Sequence, residues 1–307
     1  MRNSMWGAVA VSVLALTGCA ADPASDDELA VSATTGYLAD AVRNIAPDAE
    51  VTTMVGPGGD PHTYQPSTRD IQALQSADVV LWNGLHLEAQ MIDQLTSLGD
   101  AQLAVGDALP EELLLDWPET GPDGEPLHDP HVWNSPEAWS LVVDEIAEHL
   151  AARDPENADA YRENADRYAA RIADAADEAA ALLAEVPEPR ILVTGHDAFG
   201  YFGETFDIEV HATDFVSTEA ALSPAELSEL ADLIADHEVS TIFRDNQANP
   251  QAITSLQEAV RDRGWSVAVS DEELYADSLG ADEGVDTYLG VFSHNARAVA
   301  EALGAGE

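Results

Sequence analysis

Lysine is missing from this chain. All 12 of its basic side chains are arginines, set against 58 Asp and Glu, for a net charge of −46 over 307 residues. A surface with so little positive charge repels nucleic acid and anionic lipid, which excludes nucleic-acid binding, and over long range it attracts cations. Acidity of this density is also a solvation strategy suited to a salty medium that screens self-repulsion, so charge alone identifies no ligand. Cysteine is nearly absent as well. Cys19 is the only one, which excludes disulfides and thiolate metal ligation within the chain. The apolar stretch from Trp6 to Leu16 falls short of the roughly 20 residues needed to span a bilayer. Aromatic residues make up only 6%, yet 46% hydrophobic content at this length supports a substantial core divided between about two domains.

What is present begins with an address. Met1-Arg2 gives a short positive region, the apolar stretch follows, and Leu16-Thr17-Gly18-Cys19 closes it. That tetrapeptide resembles the bacterial lipobox, whose cysteine is acylated after cleavage, so Cys19 is the expected lipid attachment site. Residues 1–19 then form a lipoprotein signal peptide and 20–28 a small, acidic, flexible tether. The rest is expected on the extracytoplasmic face of the cell membrane, held there by its lipid.

Beyond the tether, short apolar runs alternate with helical patterns. Strands are expected near Leu29–Ala33, Glu50–Val55, Asp78–Trp82 and Gln102–Val105, with helices near Gly36–Ile45, Ser67–Gln75 and Leu87–Leu98. A loop from Leu109 to Pro130 leads to Ser135-Pro136-Glu137, an N-cap, first-position proline and first-turn acid that start a helix ending near Arg153. Pro155 to Val186 reads as one long polar, Ala-rich helix, roughly 45 Å at 1.5 Å per residue. The second half repeats the rhythm. Strands are expected at Arg190–Val193, Glu209–Thr213, Val239–Phe243 and Ser266–Val269, and helices near Ala198–Phe206, Pro224–Asp236, Pro250–Arg263 and Val285–Leu303. The fold class is therefore α/β, with two lobes, each a mainly parallel four-stranded sheet flanked by helices, joined by one long spine helix. The expected boundaries are 29–153 for the N-terminal lobe, 154–187 for the linker helix and 188–307 for the C-terminal lobe.

Four residues gain meaning on this map. His62, His131, His196 and Asp277 each sit past the carboxyl end of a strand, where open α/β sheets place their ligand crevices, and each lobe contributes two. Imidazoles and one carboxylate make a compact nitrogen and oxygen site for a borderline divalent cation, Zn2+ first, with Mn2+ also accommodated. Asp60, Asp129 and Asp197 adjoin the three histidines and are candidates to orient an imidazole through its other N–H. Pro61 and Pro130 stiffen two of the turns. Because the histidines must be neutral to ligate, affinity should fall as pH drops through about 6. A single Asp-Pro-His turn is more often plain surface than ligand, and it is the set that points to metal. His149, His211, His237 and His294 lie in helical or strand patterns and read as structural, whereas His86 and His128 fall in loops near strand ends and are left open.

Gly59-Asp60-Pro61-His62-Thr63-Tyr64-Gln65-Pro66, Asn83-Gly84-Leu85-His86-Leu87-Glu88, Asp129-Pro130-His131-Val132-Trp133, His196-Asp197-Ala198-Phe199-Gly200-Tyr201-Phe202 and Leu274-Tyr275-Ala276-Asp277-Ser278-Leu279-Gly280 together resemble the zinc/manganese solute-binding proteins of ABC importers, the cluster A-I metal receptors. The resemblance covers nearly all of the mature chain. It implies a lipid-anchored monomeric receptor, a metal held between the lobes by His62, His131, His196 and Asp277, and delivery to a membrane permease with its cytoplasmic ATPase. Manganese-selective relatives usually carry Glu where this chain has His196, which implies zinc. The chain departs from the family at the acidic stretch Asp116–His128, which has a single His where many zinc receptors have a His-rich loop. It also has Asp245 where relatives commonly have Glu. The competing readings are a manganese receptor, a surface adhesin lipoprotein and a zinc hydrolase. The last lacks a His-Glu-x-x-His pattern and an open ligand position.

Overall fold

The most apolar strands, one of which carries a single buried polar residue, Ser32, form the middle of the first sheet. In the computed structural model, which describes residues 28–121, 124, 126–216, 222–246 and 250–304, β1 (Ala30–Ala33) and β3 (Val79–Trp82) are central and almost wholly buried. β2 (Glu50–Thr53) and β4 (Gln102–Ala104) flank them, in the all-parallel order β2-β1-β3-β4. Burial on both faces is the reason the central strands lack polar alternation. Cys19, the signal segment and all of the tether except Glu28 lie outside the described residues.

Helix starts follow local capping chemistry. The Thr35 side chain accepts from Leu38 N–H to start α1 (Gly36–Ile45), and a Ser67/Asp70 capping box starts α2 (Thr68–Ser76). The helix expected over Leu87–Leu98 shrinks to α3 (Ile92–Thr96). Gly84, Leu85 and His86 run consecutively in the left-handed region, at φ of 77°, 51° and 66°. The buried Glu88 carboxylate accepts from Thr34 Oγ1 at 2.6 Å, from Asn83 N–H at 2.8 Å and from Gly84 N–H at 3.2 Å. That loop is held by a side chain reaching back to two strand ends, so its helical periodicity has nothing to act on.

The expected loop Leu109–Pro130 contains an irregular antiparallel hairpin, β5 (Asp116–Thr120) with β6 (Pro126–His128). Trp117 and Leu127 pack there with Val216 from the other half of the chain, a contact that no local pattern announces. After it, α4 (Pro136–Arg153) starts at Ser135 with Pro136 in the first turn, as the sequence indicates.

The long helix is α5 (Ala158–Leu183), 26 residues and about 39 Å at the standard rise. Its buried seam, Tyr161, Ala165, Tyr168, Ile172, Ala179 and Leu183, with half-buried Ala175 between the fourth and fifth, recurs at three- and four-residue spacing. Tyr168 Oη donates to the buried Asp40 carboxylate of α1 at 2.6 Å, and the Tyr288 N–H of the last helix, α9 (Tyr288–Ala302), donates to the same oxygen at 3.3 Å. One carboxylate thus ties three helices.

The second lobe holds β7 (Ile191–Thr194) paired with β8 (Glu209–Ala212), and β9 (Thr241–Ile242) paired with β10 (Ala268–Val269), both parallel. Regular pairing is shorter than the expected four-strand sheet, and the Phe243 N–H to Val193 carbonyl bond, 2.8 Å, joins the two pairs. Helices α6 (Gly200–Phe206), α7 (Pro224–Asp236) and α8 (Pro250–Asp262) complete the lobe. The largest core cluster runs through both lobes, from Leu38 and Trp139 to Phe202, Leu279 and Phe292, so the lobes share their interior.

Candidate metal centre

Four loops that leave strand ends converge at the cleft. His62 lies on the turn that follows β2, and His131 follows β6 and opens a short 3-10 turn at Val132–Asn134. His196 stands two residues past β7, and Asp277 lies in the segment after β10. All four are buried, at 3%, 0%, 0% and 0% exposure. Burying three imidazoles and a carboxylate together is costly unless they pair or bind an ion.

Their ligand atoms all lie within 4.8 Å of one another, the only such group of His, Cys, Asp and Glu among the described residues. His131 Nε2 is 3.3 Å from His62 Nε2 and 3.2 Å from His196 Nε2. Asp277 places Oδ1 3.2 Å from His131 Nε2, and Oδ2 3.2 Å from His196 Nε2 and 3.6 Å from His62 Nε2. A tetrahedron with bonds of about 2.0–2.1 Å has edges of about 3.3–3.4 Å, so these separations match a cage around one ion.

The second nitrogen of two rings is committed elsewhere. His131 Nδ1 sits 2.6 Å from Asp129 Oδ1, which also accepts the His131 backbone N–H at 2.9 Å. His196 Nδ1 sits 3.0 Å from the Phe215 carbonyl, and the His196 N–H donates to Asp245 Oδ2 at 2.7 Å. A carboxylate or carbonyl acceptor at Nδ1 fixes the proton there and turns the Nε2 lone pair toward the site. Of the three neighbouring aspartates, Asp129 therefore contacts an imidazole. Asp60 instead accepts the His62 backbone N–H at 2.8 Å and the Thr63 hydroxyl at 2.9 Å, ordering the turn. Asp197 is half-buried and hydrogen-bonds no imidazole; burial, then the neighbouring Asp129 charge, raises its carboxyl.

The electrostatics divide the rings. Burial opposes charge on His131, but the carboxylates of Asp129 and Asp277 outweigh it and raise the ring to about 10. Burial also opposes charge on His196, and Asp277 again overrides it and raises the ring. At His62 desolvation prevails and the ring is pushed down to about 3. Asp277 is held well below the usual carboxylate range, because the charges on His196 and His131 overcome its burial.

His86 and His128 lie apart from this group. They line a separate cavity of about 390 Å³ with Trp82, Asp107 and Leu127. Asp245, left open by the sequence, is the buried acceptor for His196. Its only advance signal was the resemblance, in which relatives commonly have Glu at this position.

A cleft of this form, roofed by four strand-end loops between two α/β lobes, is that of a solute-binding receptor. The family described as "Zinc-uptake complex component A periplasmic" matches residues 31–302, and the chain belongs to it. Its members are binding receptors rather than enzymes. The manganese-binding lipoprotein MntA of Bacillus subtilis is 37% identical, over 99% of this chain and 100% of that protein. The zinc-binding protein TroA of Treponema pallidum is 34% identical, over 92% of this chain and 91% of that protein. The solved structure of TroA superposes with a TM-score of 0.83 at 32% identity, covering 90% of this chain and 99% of that one. Among the described residues no helix is long and apolar enough to cross a membrane.

Proposed function

We propose that this chain is an extracytoplasmic metal receptor that binds one divalent ion, zinc by preference, through His62, His131, His196 and Asp277 and hands it to an ABC permease driven by a cytoplasmic ATPase. The observation that carries this reading is the convergence of three Nε2 atoms and one carboxylate, all buried, at the spacing of a four-ligand shell. Zinc is favoured because imidazole suits it better than it suits the harder manganese, which prefers oxygen ligands in octahedral geometry. Manganese is the second reading, and the 37% identity to a manganese-binding lipoprotein supports it. The lipid anchor at Cys19, the monomeric state and lobe boundaries at 153/154 and 187/188 belong to the same proposal.

Capture needs little motion. Both lobes pack on α5 and share one core, so ligands from each side meet by a small approach rather than a wide hinge opening. The test is elemental analysis of the purified protein, followed by competition between zinc and manganese for the metal-free form. Zinc displacing an equimolar amount of manganese is the expected result. Preferential retention of manganese would transfer the assignment to the second reading, and absence of any uptake would favour the adhesin.

A further inference from the structure

The turn that carries Asp277 is fixed on both sides by side chains that are not themselves among the four ligands, although one of them, Trp133, packs edge-on against the His131 ring at 5.3 Å. Ala276, just before it, offers its carbonyl to two donors from the first half of the chain: Tyr37 Oη at 2.9 Å and Trp133 Nε1 at 3.0 Å. Those two rings stack at 4.9 Å with an 18° interplanar angle. From the C-terminal lobe, Asn246 accepts the Ala276 N–H at 2.9 Å through Oδ1. Its amide nitrogen donates to the Ser278 carbonyl at 3.0 Å and to Ser278 Oγ at 2.7 Å. Gly58 N–H, from the loop that leads to His62, donates to the same Ser278 Oγ at 3.0 Å. The fit is close: a Cβ added at Gly36 would lie 3.2 Å from Leu279.

We propose that Asn246 and Tyr37 are the positioning residues for Asp277. Asn246 fixes the two residues that flank the aspartate, Ala276 and Ser278, within its own lobe. Tyr37 registers the same turn against the opposite lobe. The carboxylate then meets the three imidazoles without reordering, and the ion leaves only when the turn lets go. Preorganisation of this kind raises affinity by lowering the ordering cost, and it acts mainly on dissociation. The inference rests on the metal-receptor reading of the four-residue cluster.

The test compares Asn246→Leu, Tyr37→Phe, Ser278→Ala and Asp277→Ala in the full chain. The probes are zinc release into excess chelator by stopped flow, the visible absorption of the Co2+-loaded protein, and thermal unfolding of the metal-free form. Asn246→Leu removes three hydrogen bonds at near-constant shape and should speed zinc release about tenfold or more, with an altered cobalt spectrum. Tyr37→Phe keeps the stacking and removes one bond, so about threefold to tenfold is expected. If Asn246→Leu fails to fold, Tyr37→Phe and Ser278→Ala carry the test. Wild-type release and a wild-type cobalt spectrum in the positioning variants, beside an impaired Asp277→Ala, would overturn the proposal and leave the receptor reading standing. Faster release that merely tracks a lowered unfolding midpoint, with the cobalt spectrum unchanged, would also overturn it. Wild-type binding by Asp277→Ala would instead overturn the receptor reading itself.

Discussion

In the N-terminal lobe each of the two clustered histidines is held by the aspartate two residues before it. Asp60 accepts the His62 N–H at 2.8 Å, and Asp129 accepts both the backbone N–H and the ring nitrogen of His131 at 2.9 and 2.6 Å. In the C-terminal lobe the supports come from far along the chain. Asp245, 49 residues from His196, takes its N–H, and Asn246, 30 residues from Ala276, brackets Asp277. One lobe therefore supports its ligand histidines with aspartates of their own turns, stiffened by Pro61 and Pro130, while in the other the carboxylate and amide supports come from distant segments. Distant ties add to the first pair as well, from Asn83 to the Pro130 carbonyl at 2.9 Å and from Tyr201 to the Asp129 carbonyl at 2.9 Å. Local carboxylates weigh more in the first pair and distant ones in the second, and the two are expected to respond differently to substitution.

The largest effect should come from the ligands themselves. His131→Ala or Asp277→Ala is expected to weaken zinc binding by more than about 100-fold, beyond the 10–100-fold typical of an outer hydrogen-bond partner. Chelator-competition titration measures this, and a loss below tenfold would show that the cage does not act as one site.

Next come the local supports, which separate the two Asp-Pro-His turns from each other. Asp129→Asn loses a charged contact to the imidazole and should cost about 10–100-fold in affinity. Asp60→Asn loosens its turn and removes a charge that acts on the His62 ring without an observed ring hydrogen bond, so it should cost less, about threefold to tenfold. Equal effects in the same titration would mean that Asp60 reaches the ring in solution.

A pH titration sharpens the contrast between His62 and the other rings. Burial leaves His62 neutral down to about 3, so it offers protons no foothold near neutrality. Asp129 and Asp277 hold a proton on His131 up to about 10 against its burial, and His196 is also raised. Zinc must expel those protons, so affinity should rise from pH 5 to 8 by about one log unit or more per pH unit, without levelling above the ordinary histidine range. The sequence alone set the break near 6; the carboxylates move it upward. A plateau above pH 7 would show that the metal-free rings carry no proton.

The smallest effect is expected at His86 and His128, which line a different cavity. Replacing either with Ala should leave zinc affinity within about twofold, and a larger change would tie that cavity to the site.

Legibility in the sequence followed the same divide. Asp-Pro-His turns, strand ends and the Ser135-Pro136 helix start are written in adjacent residues, so His62, His131 and the α/β order were readable locally, whereas His196 and Asp277 were read from strand-end positions and the family resemblance. The Trp117–Val216 contact that pins the β5–β6 hairpin joins distant segments, and neither partner marks the other. Leu87–Leu98 failed for a related reason: Glu88 spends its side chain on Thr34, 54 residues away, and the left-handed run at Gly84–His86 overrides helical periodicity. Asn246 and Tyr37 were not singled out, since their partners, the backbone around Asp277 and the Ser278 hydroxyl, lie 30 or more residues away.

The central claim is that His62, His131, His196 and Asp277 form one metal-binding cage. The most direct measurement is a titration of metal-free full chain with zinc, reading stoichiometry and affinity in parallel with the Asp277→Ala and His196→Ala variants. One zinc per chain, with both variants at least about 100-fold weaker and both as stable as the parent when metal-free, is the predicted result. Unchanged stoichiometry and affinity in the two variants would contradict it.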